Sequence, residues 1–522
     1  MVQRSRRTVT YNYILTMLHL KFALNLENLA DEMIAALGKC WTDPFDSPIV
    51  IFPDPKIEQW FRLRYIAKCG VLANLEIITL DKFLFRYLTQ GDTSKQKLTA
   101  DILCNVLIAY LNETYSAKSK SIPKEIKKYL YKKSGEIDES KLFDFARTLA
   151  GLFLEYETSR PGGFISPLQN KHHEGLLAYW KEGELRDFFS DKGRVLPKEK
   201  WQRDVYAQLF HNAGGKSLLT RVFEATHKRT GSDTEYLTIP YLFSQQADSS
   251  QWKKPVFIFS LSGMGQFYRV ILQRFAQEHD IFAFIQNPCM EFWEDVGNRA
   301  VTRWSKKDEP SRIALPAVQD SATEEGLAQN ENLLLKNWGR TGRENIRLWC
   351  LASDYTFDFV GYEYAPNSLL HQVQYLVSHR LNRFDDSEAA PKSITPKADR
   401  SLTLTAAPSS LREVENLHTQ VCLLLKQGVR LDEMVVIAPE LDAYRTPIEQ
   451  VFNAAPRDSE FYIPYAITDY PEKDSLIGKA IANLLDIHQQ RSISRPAFFD
   501  LVKNPVVQST LQITDSDVAA WD

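Results

Sequence analysis

The chain has 522 residues, a mass of 60.0 kDa and a net charge of −3 from 63 basic and 66 acidic side chains. Hydrophobic residues make up 44% of it, which excludes disorder as the main state and allows large cores spread over roughly two to four domains. The near-neutral balance excludes a globally basic coat protein of nucleic acids. A local basic patch remains compatible with it.

The cysteine pattern and the length of the apolar runs indicate the cellular compartment of the protein. None of the six cysteines forms a C-x-x-C pair, which disfavours a structural zinc site and a secreted disulfide framework. No apolar run approaches the ~18 residues of a membrane span, so we expect a cytoplasmic protein without membrane contact. We interpret Met17 as the true start and residues 1–16 as an extension upstream of it.

Short apolar runs alternate with helical patterns early in the chain. PIVIF at 48–52 predicts a strand, a helix is expected over 56–68, and a strand resumes at 75–78. This alternation predicts an α/β core with a parallel sheet. From about 80 to 211 the pattern is helical, and the apolar spacing predicts one long helix over 140–156.

Strand patterns return in the second half of the sequence. VFIFS at 256–260 is followed by a predicted helix over 266–278 and a strand at 281–285, which form a second strand–helix–strand unit. A third unit has a predicted strand, helix and strand at 401–406, 409–426 and 434–438.

The sequence offers two places for an ATP site, and both depart from the required pattern. Residues 214–217 read GGKS, but the first glycine of a phosphate loop is missing and the preceding residues are helical, so a glycine turn after a helix is favoured. The strand at 48–52 is followed by Pro53, Asp54 and Pro55 instead of glycines. Since proline lacks an N–H donor, we predict no ATP site. We also predict no catalytic residue, metal ligand or cofactor in this chain.

A lysine-rich stretch is the main signal for DNA. Residues 118–133 contain seven lysines against the single carboxylate of Glu125, with Tyr129 and Tyr131 between them. Lysines neutralise phosphates and tyrosines stack on bases, although a solvated helix face explains the pattern equally well. A second basic stretch at 192–203 contains Trp201.

Several long blocks, in order, resemble one known family, the gamma chains of bacterial exodeoxyribonuclease V, which are the RecC components of RecBCD helicase–nucleases. The blocks are IVIFPDPKIEQWFRLRYIAKCGVLANLEI, LFLEYETSRP, VFIFSLSGMGQFYRVIL, NPCMEFWED, LLLKNWGRTGREN, SSLREVENLH, VVIAPELDAYRTPIEQVFNAAP and IPYAITD. The resemblance runs from Met17 onward and covers about the amino-terminal half of the family's length.

The resemblance implies a degenerate superfamily 1 helicase-like core, with parallel sheets flanked by helices and a mainly helical inserted subdomain. It implies a first lobe over 17–115 and 212–365, a helical insertion over 116–211 and part of a second lobe over 366–522. The implied role is a non-catalytic scaffold that splits double-stranded DNA ends and channels single-stranded DNA for break repair by recombination. The implied partners are the beta and alpha chains, which use ATP and magnesium.

The resemblance also suggests DNA contacts. Gln59, Leu152 and Arg160 match the residue types along the family's strand channel. Residues such as Gly151 and Leu154 depart from it, so altered or absent recognition of the familiar Chi sequence is expected. Trp60 matches too, but core packing is its favoured role, and Arg412 and Glu413 are assigned to structure. From the charge pattern, the predicted phosphate contacts are Lys127, Lys128, Lys132 and Lys133.

Two other functions stay open at this point. One is an active ATP-dependent helicase–nuclease subunit of related fold, for which a glycine-rich lysine loop is the missing signature. The other is a protein-interaction scaffold that does not touch DNA.

Overall fold

The computed structural model describes residues 18–41, 43, 45, 47–116, 124–159, 177, 180, 192–210, 217–231, 233–244, 254–263, 265–293, 332–350, 359–361, 366–382, 399–459, 461–467, 475–489 and 492–521. The predicted extension at 1–16 lies outside these residues. The chain divides into two compact units, an amino-terminal unit that ends at Ser401 and a carboxy-terminal unit that starts at Leu402.

The strands of the amino-terminal unit are short and all of them run parallel to their neighbours. In chain order they are β1 (Leu18–Ala23), β2 (Ile49–Ile51), β3 (Glu76–Ile78), β4 (Lys95–Lys97), β5 (Glu235–Leu237), β6 (Val256–Phe259), β7 (Ile281–Gln286) and β8 (Phe359–Val360). Six of them form one sheet in the order β3-β2-β6-β7-β1-β8, and β4 pairs with β5 in a separate two-stranded sheet.

The helices of the amino-terminal unit are α1 (Leu26–Cys40), α2 (Pro55–Cys69), α3 (Leu80–Leu88), α4 (Ala100–Ser116), α5 (Lys124–Leu130), α6 (Glu139–Ser159), α7 (Lys192–Phe210), α8 (Leu218–Thr230), α9 (Ile239–Ser244), α10 (Gln266–Phe275), α11 (Leu333–Trp338), α12 (Arg340–Cys350) and α13 (Leu369–Ser378). Those of the carboxy-terminal unit are α14 (Ser410–Lys426), α15 (Asp442–Phe452), α16 (Leu476–Gln489), α17 (Arg495–Val502), α18 (Pro505–Leu511) and α19 (Asp515–Trp521).

The six-stranded sheet is covered by helices on both faces. Successive strand residues point to opposite faces, so Ile49 and Ile51 pack with α3, α9, α10 and α12, whereas Val50 packs with α1 and α2. Val50 pairs with Phe257, and the ring of Phe257 stacks on Phe282 at 5.1 Å. This burial on both faces explains why the strands read as continuous apolar runs. The predicted α/β class with a parallel sheet flanked by helices is confirmed.

A second core lies among helices. The buried face of α6 includes Leu142, Leu149 and Phe153, which pack with residues of α4, α5, α7 and α8. The predicted helix over 140–156 therefore extends from Glu139 to Ser159. The pair β4–β5 was not predicted, because three residues such as KQK carry no strand periodicity of their own.

The carboxy-terminal unit contains α14 packed against α15 around Val414 and Phe452. The helix predicted over 409–426 is present, but the strands predicted at 401–406 and 434–438 are wrong for this structure, because no described strand pairs with either segment. Apolar side chains of both segments face solvent: Leu404 is 97% exposed and Ile437 is 87% exposed.

Among the described helices, none combines the length and the apolar character that a bilayer crossing requires.

The difference between paired and unpaired segments predicts an uneven pattern of amide exchange. Amides within β6 form ladders with β2 and β7, so we expect them to exchange only when the sheet opens. Amides at 402–406 and 435–438 belong to no described ladder, so we expect exchange at least about a hundredfold faster. Hydrogen–deuterium exchange with mass spectrometry measures both sets. Equal protection of β6 and of Val435–Ile437 peptides would contradict the structure.

Candidate nucleic-acid interface

The lysine-rich stretch forms a short helix and a tight turn. Ile126 and Leu130 anchor α5 in the helical core, and this orientation leaves Lys128 exposed. The turn that follows is closed by a hydrogen bond from the amide of Lys132 to the carbonyl oxygen of Glu136 at 2.8 Å. Gly135, with φ of 86°, supplies the left-handed conformation that this turn requires.

Three of the four predicted phosphate contacts lie at the surface. Lys128, Lys132 and Lys133 are exposed, whereas Lys127 is partly buried and has other interactions. The first part of the run, at 118–123, lies outside the described residues. The four lysines stay predicted contacts, and exposure is the property that such contacts need.

Tyr129 of α5, Phe145 of α6 and Trp201 of α7 form an aromatic row. The ring of Tyr129 lies 6.5 Å from that of Phe145, and Phe145 lies 5.9 Å from Trp201, measured between centroids. The ammonium group of Lys141 lies 5.6 Å from the centre of the Tyr129 ring. The two aromatic residues that the sequence highlighted within basic stretches, Tyr129 and Trp201, therefore meet through Phe145.

Phe145 was not predicted as a functional residue. It lies in the apolar spacing of α6 together with core positions such as Leu142 and Leu149, so its pattern looks like packing. Phe145 differs from them in being only partly buried, and the sequence gives no signal for that difference.

A buried carboxylate links α6 and α7, the two helices that carry Phe145 and Trp201. Glu157 of α6 accepts hydrogen bonds from the hydroxyl of Tyr206 on α7 and from Oγ1 of Thr238, the latter at 3.1 Å. Burial raises the pKa of Glu157, and the two hydrogen bonds oppose this only in part. Burial, together with this carboxylate, raises the pKa of Tyr206, which keeps its hydroxyl a donor.

The predicted DNA contact Gln59 lies in a different part of the amino-terminal unit. It is exposed on α2, one residue before Trp60, whose ring stacks on Phe259 at 6.3 Å. The guanidinium of Arg64 covers the Trp60 ring at 6.0 Å. Trp60 thus packs in the core between α2 and the sheet, as predicted, and Gln59 is left accessible beside it.

The junction between β2 and α2 is closed by the chain itself. Asp54 caps α2, and its carboxylate accepts hydrogen bonds from the amides of Lys56 at 2.8 Å and Ile57 at 3.1 Å. Pro55 occupies the first turn and has no N–H to offer. The donors that would face an anion at a helix start are therefore already occupied by a protein carboxylate.

The remaining predicted residues are placed unevenly. Leu152 is partly buried and packs against the helical core, in a different cluster from α2. Arg160 and residues 214–216 of the GGKS motif lie outside the described residues. The last residue of that motif, Ser217, caps α8 by accepting a hydrogen bond from the amide of Thr220 at 3.2 Å. The contacts predicted for Gln59, Leu152 and Arg160 stay predictions.

In the carboxy-terminal unit, Arg412 and Glu413 have the structural roles assigned to them. Ser409 caps α14 by accepting from the amide of Arg412, and the side chain of Arg412 pairs with Glu415. Glu413 accepts a hydrogen bond from the hydroxyl of Tyr444 on α15 at 2.8 Å. Both residues thus stabilise the start of α14 and its packing.

Comparison with known proteins places the chain in a family. The family model described as "RecC, N-terminal domain" matches residues 18–379, which is more than half of the chain. The chain therefore belongs to the RecC amino-terminal domain family.

The chain is similar to curated proteins named RecBCD enzyme subunit RecC. It is 25% identical to the Haemophilus influenzae protein over 498 residues, which cover 87% of this chain and 41% of that protein. It is 25% identical to the Escherichia coli protein over 509 residues, 91% of this chain and 41% of the relative. For the Mycobacterium tuberculosis protein the identity is 25% over 441 residues, 82% and 35% of the two chains. The chain thus spans about two fifths of the length of these relatives.

The buried carboxylate gives a pH-dependent prediction. Because the folded pKa of Glu157 is raised, its protonated form stabilises the fold at low pH, and that contribution is lost as pH rises through the folded pKa. Glu157→Gln keeps an acceptor oxygen and cannot ionise. We therefore expect its free energy of unfolding, relative to the native chain, to be higher at pH 8 than at pH 5. Urea denaturation followed by fluorescence measures this difference.

The matched control is Glu155→Gln, because Glu155 is exposed on the same helix. If Glu157→Gln and the native chain differ in free energy of unfolding by the same amount at pH 5 and pH 8, the raised pKa of Glu157 is contradicted. Glu157→Leu leaves the buried hydroxyls of Tyr206 and Thr238 without their acceptor, so we expect it to lose about 1–3 kcal/mol at both pH values.

Proposed function

We propose that this chain, as a member of the RecC amino-terminal domain family, is a non-catalytic DNA-binding and scaffold subunit of a RecBCD-type exodeoxyribonuclease V. In this role it splits duplex ends and channels single strands for double-strand break repair by recombination, in the cytoplasm. Its partners are the beta and alpha chains of that enzyme. The observation that carries the proposal is the set of exposed lysines on α5 and its following turn, next to an aromatic row, in a chain of this family.

The charge distribution supports DNA binding despite the net charge of −3. Lys128, Lys132 and Lys133 project from one helix and its turn, so their ammonium groups form a local patch. Such a patch attracts phosphates and releases counterions whatever the total charge of the chain. Tyr129, about half-exposed between them, adds a ring on which a base can stack.

The β2–α2 junction supports a passive role. Asp54 and Pro55 leave the start of α2 with a fixed negative charge and one donor fewer, which disfavours a nucleotide phosphate there. In the proposed complex ATP and magnesium are used by the partner subunits. The motion of DNA through the channel is then driven by those subunits, and this chain guides the strands.

Gln59, Leu152 and Arg160 are the proposed polar and apolar contacts along the strand channel. Gly151 and Leu154 depart from the family pattern, and neither residue has a side-chain hydrogen-bond acceptor. Gly151 is exposed on α6, and Leu154 is partly buried. Since base reading needs donors and acceptors aimed at base edges, any Chi sequence that this chain reads differs from the familiar one.

Replacement of Lys127, Lys128, Lys132 and Lys133 by alanine is the direct test. We expect weaker binding to forked and single-stranded DNA, because each phosphate contact contributes about 0.7 to the slope of log affinity against log salt. Loss of four contacts lowers that slope by about 3. Fluorescence anisotropy of the purified chain at several salt concentrations, with and without ATP, measures it.

The matched control replaces four other exposed lysines, Lys39, Lys82, Lys228 and Lys426, and preserves the total charge change. An equal loss in both quadruple variants would show a nonspecific charge effect. Unchanged affinity and slope in the α5 variant would favour a scaffold that does not touch DNA. ATP hydrolysis by the purified chain that disappears in Lys216→Ala would favour an active helicase subunit.

A further inference from the structure

A cleft opens in the helical core next to the aromatic row. Its volume is about 470 Å³, within the range of ligand-binding clefts. It lies between four helices of the amino-terminal unit. The lining residues on which its chemistry depends are Phe145, Trp201, Asp204 and Gln208.

The cleft combines aromatic walls with a polar side. Phe145 and Trp201, 5.9 Å apart, supply two rings, and both are only partly buried. Trp201, Asp204 and Gln208 recur at three- and four-residue spacing, so they share one face of α7. The carboxylate of Asp204 and the amide of Gln208 are exposed at the cleft. A flat ligand can therefore meet a ring and hydrogen-bonding groups together.

An exposed lysine lies at each end of the row, where it can contact a phosphate of an anionic chain. Lys141 is exposed at the Tyr129 end, and Lys200, adjacent to Trp201, is exposed at the other end. Two carboxylates oppose them: Asp138 lies 3.8 Å from Lys141, and Asp204 lies at the cleft itself. A ligand with phosphates at the rim pairs with the lysines, and an amino group on its base donates to the carboxylate of Asp204. Single-stranded DNA has this chemistry.

We propose that this cleft binds one base of single-stranded DNA, stacked on Phe145 and Trp201, with its amino group donating to the carboxylate of Asp204. The flanking phosphates contact Lys141 and Lys200, and a neighbouring base stacks on Tyr129. The proposal rests on the proposed DNA-binding function and adds a base preference to it. Cytosine, adenine and guanine carry an exocyclic amino group, whereas thymine presents only acceptors and a methyl group at that edge.

The test compares affinity for two fluorescein-labelled oligonucleotides of about 12 residues, (dC)12 and (dT)12, using the full chain and anisotropy. We expect the native chain to bind (dC)12 about fivefold or more tightly than (dT)12. Asp204→Asn replaces an acceptor by a group that also donates, so it narrows that ratio toward one. Because Asp204 is exposed, this variant leaves the core packing intact.

Two matched controls lie on α6. Asp144→Asn removes an exposed carboxylate outside the cleft lining, so it leaves the ratio unchanged. Phe145→Ala weakens (dC)12 binding about 5- to 100-fold through lost stacking, whereas Phe143→Ala, which truncates a 47% exposed ring two residues away, does not. Circular dichroism verifies the fold of each variant.

The outcomes separate the base site from DNA binding in general. One outcome is that the native chain binds DNA, and replacing the α5 lysines lowers the slope of log affinity against log salt, but (dC)12 and (dT)12 bind equally. In that case the base site is overturned and the proposed function stands. Asp204→Asn that keeps the native ratio overturns it as well, because the base preference then does not come from the Asp204 carboxylate. No binding of either oligonucleotide at low salt overturns both proposals.

Discussion

The packing of α6 is the constraint on which the helical part of the molecule depends. One face of this 21-residue helix is buried, and the helix packs against α4. Near its end, Glu157 forms hydrogen bonds to Tyr206 and Thr238, which fixes the helix against α7 and against the chain leading into α9. A carboxylate in such a place costs free energy unless its partners stay in position. The helices cannot slide past one another without breaking these bonds.

The same constraint sets the candidate DNA interface. Phe145 comes from α6 and Trp201 from α7, so their 5.9 Å separation depends on how these helices are held. α5 adds Tyr129 and the lysines, and its own anchors, Ile126 and Leu130, pack in the same core. The three rings therefore lie on helices, a placement that keeps contact geometry reproducible, and Lys132 and Lys133 lie in the turn that follows α5.

Much of the fold follows from periodicity in the sequence, and the exceptions have physical causes. Strands β2, β6 and β7 are apolar runs between breakers, and α6 and α14 have regular apolar spacing, so all five were predictable. The segments at 401–406 and 434–438 have the same strand pattern, but a pattern cannot supply the neighbouring strand that pairing requires. For the site, lysines and tyrosines were visible as composition, whereas the meeting of Tyr129, Phe145 and Trp201 depends on tertiary packing alone.

The junction at Asp54 and Pro55 closes the start of α2 to anions in two independent ways. Replacing Asp54 alone removes a helix cap, a loss of about 1 kcal/mol, and still yields no anion site, since Pro55 lacks its donor. Replacing Pro55 alone leaves the cap carboxylate repelling any phosphate. Neither replacement alone therefore opens the start of α2 to a phosphate. The two features are therefore redundant, and a phosphate site at this helix start requires both residues to change together.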